Sequence, residues 1–204
     1  PAVSKMGIKF DTWFFEKVLY EKKETEKALK LLEKKGLLYE KEKALWFKSS
    51  GFGDDKDRVL LKANKEPTYF LSDMAYLNNK FKRGFKTLFF FWGADHFGYI
   101  NRIKAAAQAL GFGKNNIRII IVQMVRLIQQ GKNVRMAKRE GSYVILEDLI
   151  DEVGLDSARF FFLARSADSH LNFNLDLAKE HSEKNPVYYI QYAYARICSI
   201  LSKL

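Results

Sequence analysis

The stretch TLFFFWGADHFGYINRIKAAAQAL, residues 87–110, decides the fold class of this chain. Its first part, Thr87–Trp92, is a continuous apolar run, which is typical of a strand buried on both faces of a parallel sheet. Tyr99–Leu110 has helical periodicity and ends at Gly111, and a second apolar run follows at Ile117–Gln123. Strand, helix and strand in this order predict a β-α-β unit and therefore an α/β fold with parallel strands and flanking helices.

Polar residues stand where both apolar runs end. Asp95 and His96 follow the first run, and Gln123 ends the second. Ligands of open parallel sheets bind beyond the carboxyl ends of the strands, so these side chains are candidates for a binding site. Asp95 should meet a cation or backbone donors, because an unpaired carboxylate at the end of a buried strand is costly. His96 can hydrogen-bond a ribose or a phosphate, or it can be a structural imidazole.

Local patterns predict the elements before this unit. DTWFFEKVLYEKK predicts a helix with Asp11 as its N-cap, and ETEKALKLLEKKG predicts a second helix that ends at Gly36. The short runs RVLLK and TYFL predict strands around turns at GFGDDKD and ANKEP.

Helices dominate the last third of the chain. Leu146–Val153 and Ser157–Arg165 read as two helices, and a third begins with Asn185 as N-cap and Pro186 at the first helical position. Apolar residues then recur every three or four positions and predict packing on another helix: Val187, Ile190, Tyr194, Ile197, Leu201 and Leu204.

The segment TYFLSDMAY, residues 68–76, places Tyr69 and Asp73 four residues apart at a predicted strand-to-helix junction. In one interpretation Asp73 is an ordinary N-cap aspartate. In the other, the carboxylate and its aromatic neighbour receive a cationic group. A guanidinium suits this best, since its planar fork pairs bidentately with carboxylates.

A basic stretch, VRMAKREG at residues 134–141, lies between Gly131 and Gly141. Such a loop near the carboxyl edge of a sheet can close on phosphates and stabilise the charge that develops on a pyrophosphate leaving group. A solvated basic loop with no ligand explains the same pattern.

Composition narrows the class of protein. The chain of 204 residues is 48% hydrophobic and 15% aromatic, enough for a substantial core. Its net charge of +11 predicts attraction to polyanions, or else a surface simply solvated by lysine. The single cysteine, Cys198, cannot form a disulfide within the chain, and its apolar neighbours predict that it is buried. The sequence also has no secretory signal and no apolar run long enough to span a membrane. Together these features predict a cytoplasmic protein. No metal site is predicted, because His170 and His181 are remote in sequence from His96 and no H-E-x-x-H or CxxC spacing occurs.

Taken in order, several stretches resemble the arginyl-tRNA synthetases of bacterial type, which are class I aminoacyl-tRNA ligases. They are GLLYEKEKALWFKSSGFGDDKDRVL, TYFLSDMAY, FKRGFK, WGADHFGY, VQMVRLIQQGKNVRMAKREG and DSARFFFLARSADSHLNFNLDLAKEHSEKNPVYYIQYAYAR. The resemblance implies ATP-dependent activation of L-arginine to arginyl-adenylate and transfer to the 3′ end of tRNA(Arg). It implies ATP as a substrate accompanied by Mg²⁺, no tightly bound cofactor, no membrane partner, and a monomeric full-length enzyme.

The resemblance also implies roles for individual residues. Those matching the arginine site are Tyr69 and Asp73, which hold the guanidinium, and Asp95. Those matching the ATP site are His96, Gln123, Met136 through its backbone, and Lys138. RMAK resembles the K-M-S-K signature loop, with Arg135 in place of the first lysine and Ala137 in place of the serine. The resemblance implies that Arg135 and Lys138 are catalytic residues that stabilise the leaving pyrophosphate.

The family's other signature, H-x-G-H, does not occur in these residues. The expectation is therefore a piece of a synthetase that is inactive alone. It would comprise an insertion module (1–66), the second half of the Rossmann-like catalytic domain (67–182) and the first helix of the helical anticodon-binding domain (183–204). The alternatives are a non-catalytic basic RNA-binding module and a paralogue that uses the fold as a scaffold.

Overall fold

The computed structural model describes residues 2–134 and 145–203 of the chain. Its α-helices are α1 (Ala2–Lys5), α2 (Lys17–Glu21), α3 (Glu24–Lys34), α4 (Tyr69–Lys82), α5 (Ile100–Leu110), α6 (Leu146–Val153), α7 (Leu155–Leu163), α8 (Leu175–Lys179) and α9 (Pro186–Leu201). Short 3-10 helices span Ser49–Phe52, Ala94–Tyr99 and Lys114–Asn116.

The strands form three small sheets within the described residues. They are β1 (Leu38–Lys41), β2 (Ala44–Phe47), β3 (Arg58–Leu61), β4 (Leu88–Gly93), β5 (Ile117–Val122), β6 (Val125–Gln129), β7 (Lys132–Asn133) and β8 (Leu171–Asn174). The first sheet is the antiparallel set β1-β2-β3, the second is the parallel pair β4-β5, and the third has the order β7-β6-β8.

The predicted β-α-β unit is confirmed. β4 and β5 pair in parallel with Leu88 opposite Ile117 and Gly93 opposite Val122, and α5 connects them. Gly111 ends α5 with a positive φ of 103°, a conformation that glycine adopts without a steric cost. The chain thus has the α/β fold with parallel strands and helices that its apolar runs predict.

Burial of β4 on both faces is not what the structure shows. Leu88 is buried, whereas the alternating residues Phe89 and Phe91 are 61% and 68% exposed. Side chains alternate between the two faces of a strand, and only the face towards the core of α4 and α5 is covered within the described residues. A continuous apolar run therefore identified the strand correctly but not how many of its faces are packed here.

Contacts among the described residues group the chain into two packing units. One is Thr12–Val122; the other combines Pro1–Asp11 with Gln123–Leu204. The first unit has a core of buried residues from α3, α4 and α5, with Phe47 and Leu60 from the antiparallel sheet. Grouping by contacts does not test the expected domain boundaries at 66/67 and 182/183, which stay predictions.

Two local predictions in this unit are wrong. TYFL is not a strand, because Thr68 has extended dihedrals and Tyr69 begins α4. The helix predicted from Asp11 is limited to α2, at Lys17–Glu21. Phe14 lies before that helix and stacks on Tyr76 of α4 at a ring distance of 4.4 Å, so tertiary packing of the aromatic residue holds this segment outside the helix.

The helix predicted to end at Gly36 is confirmed as α3, and Gly36 has a φ of +66°. RVLLK is confirmed as a strand at β3.

The second unit is built around β6 and β8, which pair in parallel, with Leu127 opposite Phe173. Phe173 is fully buried against residues of α6, α7 and α8. The prediction of two helices after the basic stretch is confirmed, although α7 begins at Leu155 and ends at Leu163, slightly before the predicted range.

The last helix, α9, begins as predicted: Asn185 accepts a hydrogen bond from the Val187 backbone N–H, and Pro186 is the first helical residue. Val187 is buried, but Ile190, Tyr194 and Ile197 of the apolar stripe are more than half exposed. Cys198 is also exposed, against the expectation of burial, because it lies on this uncovered part of the helix. No helix among the described residues is long and apolar enough to cross a membrane.

Candidate functional site

A cavity of about 500 Å³ opens in the Thr12–Val122 unit, between α4, β4, the 3-10 helix Ala94–Tyr99 and α5. Its walls are mainly aromatic and aliphatic, with one carboxylate and one ammonium group. The lining residues are Tyr69, Asp73, Tyr76, Leu77, Lys80, Phe90, Trp92, His96, Tyr99 and Ile103.

Helix α4 provides one wall through its periodicity. Tyr69, Asp73, Tyr76 and Lys80 are three or four residues apart and therefore share one face of the helix. The opposite face, which includes Leu71 and Met74, is fully buried in the core and fixes the rotation of the helix about its axis. The burial pattern of α4 thus aims these four side chains at the cavity.

Asp73 is not the N-cap of this helix. The N-cap is Thr68, whose hydroxyl donates to the backbone carbonyls of Val59 and Leu60, so Asp73 lies in the second turn. The N-cap interpretation of Asp73 is wrong, and the carboxylate has no role in satisfying the first backbone N–H groups of α4.

The Asp73 carboxylate accepts a short hydrogen bond of 2.5 Å at Oδ2 from the Tyr99 hydroxyl. Burial raises the pKa of Asp73, since an ionised carboxylate loses solvation in this cavity; Glu16 raises it further, while the Tyr99 hydrogen bond and the charges of Lys80 and Arg102 lower it. The net direction is upward, so the loss of solvation outweighs the hydrogen bond and the two cations that favour the ionised carboxylate.

Tyr99 is held among aromatic rings. Its ring makes edge-to-face contacts with Phe70 at 6.0 Å and with Trp92 at 5.7 Å. Burial, followed by the proximity of Asp73, raises the pKa of the Tyr99 hydroxyl far above neutrality. Tyr99 is therefore a neutral donor whose proton points at Asp73. Sequence reasoning missed it, because 26 positions separate the two residues and no local spacing relates them.

Lys80 closes the far end of the α4 face. Its ammonium nitrogen lies 4.1 Å from the centre of the Tyr76 ring and 4.5 Å from that of Phe90, in cation–π geometry. Burial, with help from the nearby charge of Arg83, lowers the pKa of Lys80, and Asp73 opposes that effect. Lys80 was also missed, since a lysine late in a helix reads as an ordinary solvated residue.

Of the residues implied for the arginine and ATP sites, the structure brings Tyr69, Asp73 and His96 to this one cavity. Tyr69 is 87% exposed and lies at the rim. His96 is also largely exposed, with its ring 6.3 Å from that of Trp92.

Asp95 is adjacent to the cavity rather than in its lining. The expectation that its carboxylate needs a cation or backbone donors is wrong, because the side chain is 81% exposed and water solvates it. Its Oδ2 lies 3.6 Å from His96 Nε2. The carboxylate also folds back over Gly93, where a Cβ would come within 2.5 Å of Asp95 Oδ1.

The other implied residues lie elsewhere. Gln123 follows the end of β5 and belongs to the second packing unit, where its backbone N–H donates to the carbonyl of Ala167 at 2.8 Å. Arg135, Met136 and Lys138 fall outside the described residues.

A separate cavity of about 530 Å³ lies in the second unit, among α6, α7, α8 and α9. Its charged groups already have partners: Lys179 pairs with Glu152, and Gln191 donates to Asp156 at 2.7 Å. In the described part of the chain, no group of three or more histidine, cysteine or acidic residues is arranged to hold a metal ion. The cavity around Asp73 is therefore the better candidate, and its chemistry suits an organic cation with an apolar stem.

Comparisons with known proteins show the family and the fold of the chain. The model of the family "tRNA synthetases class I (R), catalytic domain" matches residues 4–172. The arginine–tRNA ligase of Carboxydothermus hydrogenoformans is 52% identical over 98% of this chain, and that of Desulforamulus reducens is 52% identical over 97%. These alignments cover 36% and 35% of the two relatives, so the chain spans about a third of their length.

Solved structures have the same fold. A Campylobacter jejuni protein named as an arginyl-tRNA synthetase aligns with 99% of this chain and 44% of its own, at a TM-score of 0.90 and 38% identity. Thermus thermophilus arginyl-tRNA synthetase aligns over 99% of this chain and 44% of its own with a TM-score of 0.73 at 17% identity, which supports the fold alone. With the family match extending over most of its residues, this chain belongs to the class I (R) tRNA synthetase catalytic-domain family, whose α/β fold it shares.

Proposed function

We propose that this chain supplies the arginine-recognising part of an arginine–tRNA ligase, and that the cavity around Asp73 receives the substrate's guanidinium group. The observation that carries the proposal is the Asp73 carboxylate itself, half-buried against aromatic walls, with a raised pKa and a neutral Tyr99 donor on one oxygen. A bound guanidinium would add a counter-charge that offsets the lost solvation, and it pairs with a carboxylate in two parallel hydrogen bonds.

The surrounding residues complete the proposed arginine site. Tyr69 at the rim offers an exposed ring against which a planar guanidinium can stack. Asp95 and His96, which follow β4, would extend the polar surface from the arginine towards ATP. Gln123 is proposed to belong to the ATP side of the site.

In the proposed reaction the carboxylate of arginine attacks the α-phosphate of ATP, and pyrophosphate leaves. Lys138 and Arg135 are proposed to stabilise the charge on the leaving pyrophosphate, and the backbone at Met136 to contact adenine. Mg²⁺ would accompany ATP, and the arginyl group would pass to tRNA(Arg) in the cytoplasm. The expected domain boundaries, an insertion module up to residue 66 and a helical domain from residue 183, belong to this proposal, as does a monomeric full-length enzyme.

The 204 residues contain no H-x-G-H motif, so half of the family's phosphate site is not present in this chain. We therefore expect no arginine-dependent ATP–pyrophosphate exchange by the chain alone, while arginine binding at the Asp73 cavity persists. Detectable exchange would contradict this expectation.

The test of the proposal is calorimetric titration of the chain with L-arginine and with L-citrulline, which has nearly the same shape but a neutral ureido group. We expect binding of arginine, much weaker binding of citrulline, and loss of arginine binding in Asp73→Asn. Losing one partner of a buried charge pair costs about 2–5 kcal/mol, or roughly 30-fold or more in affinity.

The matched control is Glu33→Gln, which neutralises an exposed carboxylate on α3 of the same unit and should leave arginine binding unchanged. Equal binding of arginine and citrulline, or an Asp73→Asn variant that binds arginine normally, would refute the proposal. Salt-dependent RNA binding with no response to arginine would instead favour a basic RNA-binding module.

A further inference from the structure

The acid-rich turn GFGDDKDR contains an ion pair that the function proposed above does not use. Asp54 has a side chain only 1% exposed, and it accepts hydrogen bonds from Arg58 Nε at 2.8 Å and Arg58 Nη2 at 3.0 Å. Arg58 also donates to Asp55. The turn, which sequence analysis assigns to no site, thus holds a buried carboxylate next to the core of the unit.

Arg102, in the first turn of α5, lies between this turn and Tyr99. Its Nε is 4.0 Å from Asp54 Oδ2, is buried, and has no hydrogen-bond partner among the described residues. Its guanidinium carbon is 4.6 Å from the centre of the Tyr99 ring and 6.0 Å from that of Phe70. Arg102 therefore lies over the Tyr99 ring, where cation–π attraction opposes rotation of the ring.

We propose that Arg102, held by the charge of Asp54, is a positioning residue that fixes the Tyr99 ring so that its hydroxyl donates to Asp73. The inference rests on the proposed function, since its consequence is a preorganised guanidinium receptor. The Tyr99 hydroxyl donates to Asp73 and also interacts with Arg102, and the ring packs on Phe70 and Trp92. Arg102 and these ring contacts together decide where the donor points.

Arg102 also contributes charge at the site. The charged and titratable groups that face Asp73 are Lys80 on α4, Tyr99 and Arg102 from the chain after β4, and Glu16 from the segment before α2. His96 lines the same cavity. Arg102 and Lys80 favour the ionised carboxylate, and ionised Asp73 is the form that pairs with a guanidinium.

The first measurement is a double-mutant cycle on arginine affinity, by calorimetry in the same mildly alkaline buffer for every variant. We expect Arg102→Met to weaken arginine binding about tenfold, within the range of a partly buried cation–π contact. Tyr99→Phe removes the hydroxyl that Arg102 is proposed to position. In that background, Arg102→Met should therefore change the affinity for arginine very little further.

The second measurement is the pH at which arginine binding falls to half. Arg102→Met should raise this midpoint, because a cation that favours ionised Asp73 is lost, and Arg102→Lys should restore it, since lysine also places a cation over the ring. Arg118→Met, on the exposed face of β5, is the matched control for loss of one arginine and should change neither quantity. Tryptophan fluorescence on unfolding identifies a variant that fails to fold. If Arg102→Met does, Arg102→Gln, which removes the charge but keeps a polar side chain, replaces it and should show the same loss of affinity and the same rise of the midpoint.

The outcomes separate the two ideas. If the unaltered chain does not bind arginine, or binds it without need of Asp73, the proposed function fails and this inference falls with it. If arginine binding depends on Asp73 but Arg102→Met changes neither affinity nor midpoint, or weakens binding equally with and without the Tyr99 hydroxyl, the positioning role alone is overturned.

Discussion

Neutralising Asp54 should destabilise the Thr12–Val122 unit by an amount that the structure allows us to work out. The Asp54→Asn variant keeps the size of the side chain but removes the charge that two Arg58 donors share. Burial by itself raises the pKa of Asp54, but the hydrogen bonds from Arg58 and from the Asp55 backbone outweigh it and lower the pKa from 3.8 to about 2.

A carboxylate whose pKa is lower in the folded than in the unfolded state stabilises the fold above its unfolded pKa, and that contribution is lost as the pH falls through the folded value. The difference between 3.8 and about 2, at 1.36 kcal/mol per pH unit, corresponds to about 2 kcal/mol at neutral pH. Roughly half of this remains at about pH 3, where Asp54 is still largely ionised in the folded chain. Solvent screens the interaction of Asp54 with Arg58 very little, since the Asp54 side chain is 1% exposed.

The assay is urea unfolding followed by tryptophan fluorescence. All three tryptophans, Trp13, Trp46 and Trp92, belong to this unit, so the signal reports on it specifically. Asp54→Asn should lower the free energy of unfolding by about 2 kcal/mol at neutral pH and by about half as much at pH 3.

The control is Asp55→Asn, whose carboxylate contacts the same Arg58 but is 69% exposed, and which should cost less than about 1 kcal/mol. Equal losses for the two variants, or a loss for Asp54→Asn that does not shrink in acid, would refute the assignment of the stabilisation to a buried ionised Asp54.

Three further changes test other parts of the structure. Asp73→Asn should stabilise the chain at neutral pH in the absence of arginine. A carboxyl group whose pKa is raised by folding lowers the stability of the fold once the pH is high enough to ionise it, and asparagine cannot ionise. An unchanged or lower melting temperature without arginine would contradict this. Phe91→Ala, on the open face of β4, should cost less than about 1 kcal/mol of unfolding free energy, while Leu88→Ala on the covered face should cost about 2–5 kcal/mol; similar losses would mean that both faces are packed. In an active ligase, Lys138→Ala should lower kcat more than it raises the KM for arginine, as expected for a contact made mainly in the transition state, and the reverse pattern in steady-state aminoacylation would count against a leaving-group role.

Patterns that depend on neighbouring residues were readable from the sequence. Apolar runs and helical periodicity predicted the β4-α5-β5 unit, because backbone geometry imposes those periods wherever the elements form. Glycines at positive φ and the Asn185–Pro186 pair marked helix ends for the same local reason. The ordered motifs, from GDDKDR to RSADSHLNF, carried the family resemblance that the family match confirms.

Local patterns failed where distant packing decided the outcome. Tyr69 reads as part of a strand but begins a helix whose rotation is fixed by core contacts. Asp95 reads as a carboxylate in need of a partner, yet its side chain is 81% exposed on the 3-10 helix that follows β4. Whether the second face of β4 is covered depends on elements remote in sequence, which no apolar run can reveal.

The sequence alone determined the fold class, the family and the identity of Asp73 as a carboxylate suited to a guanidinium. Only the tertiary structure decided which residues surround that carboxylate and in which direction its pKa shifts. Tyr99 and Arg102 reach it from α5 and its preceding turn, and Asp54 reaches Arg102 from the antiparallel sheet's last loop. Contacts between residues so far apart in the sequence form only when helices and strands pack against one another. Desolvation is the main cause of the raised pKa of Asp73, and it too arises only from that packing.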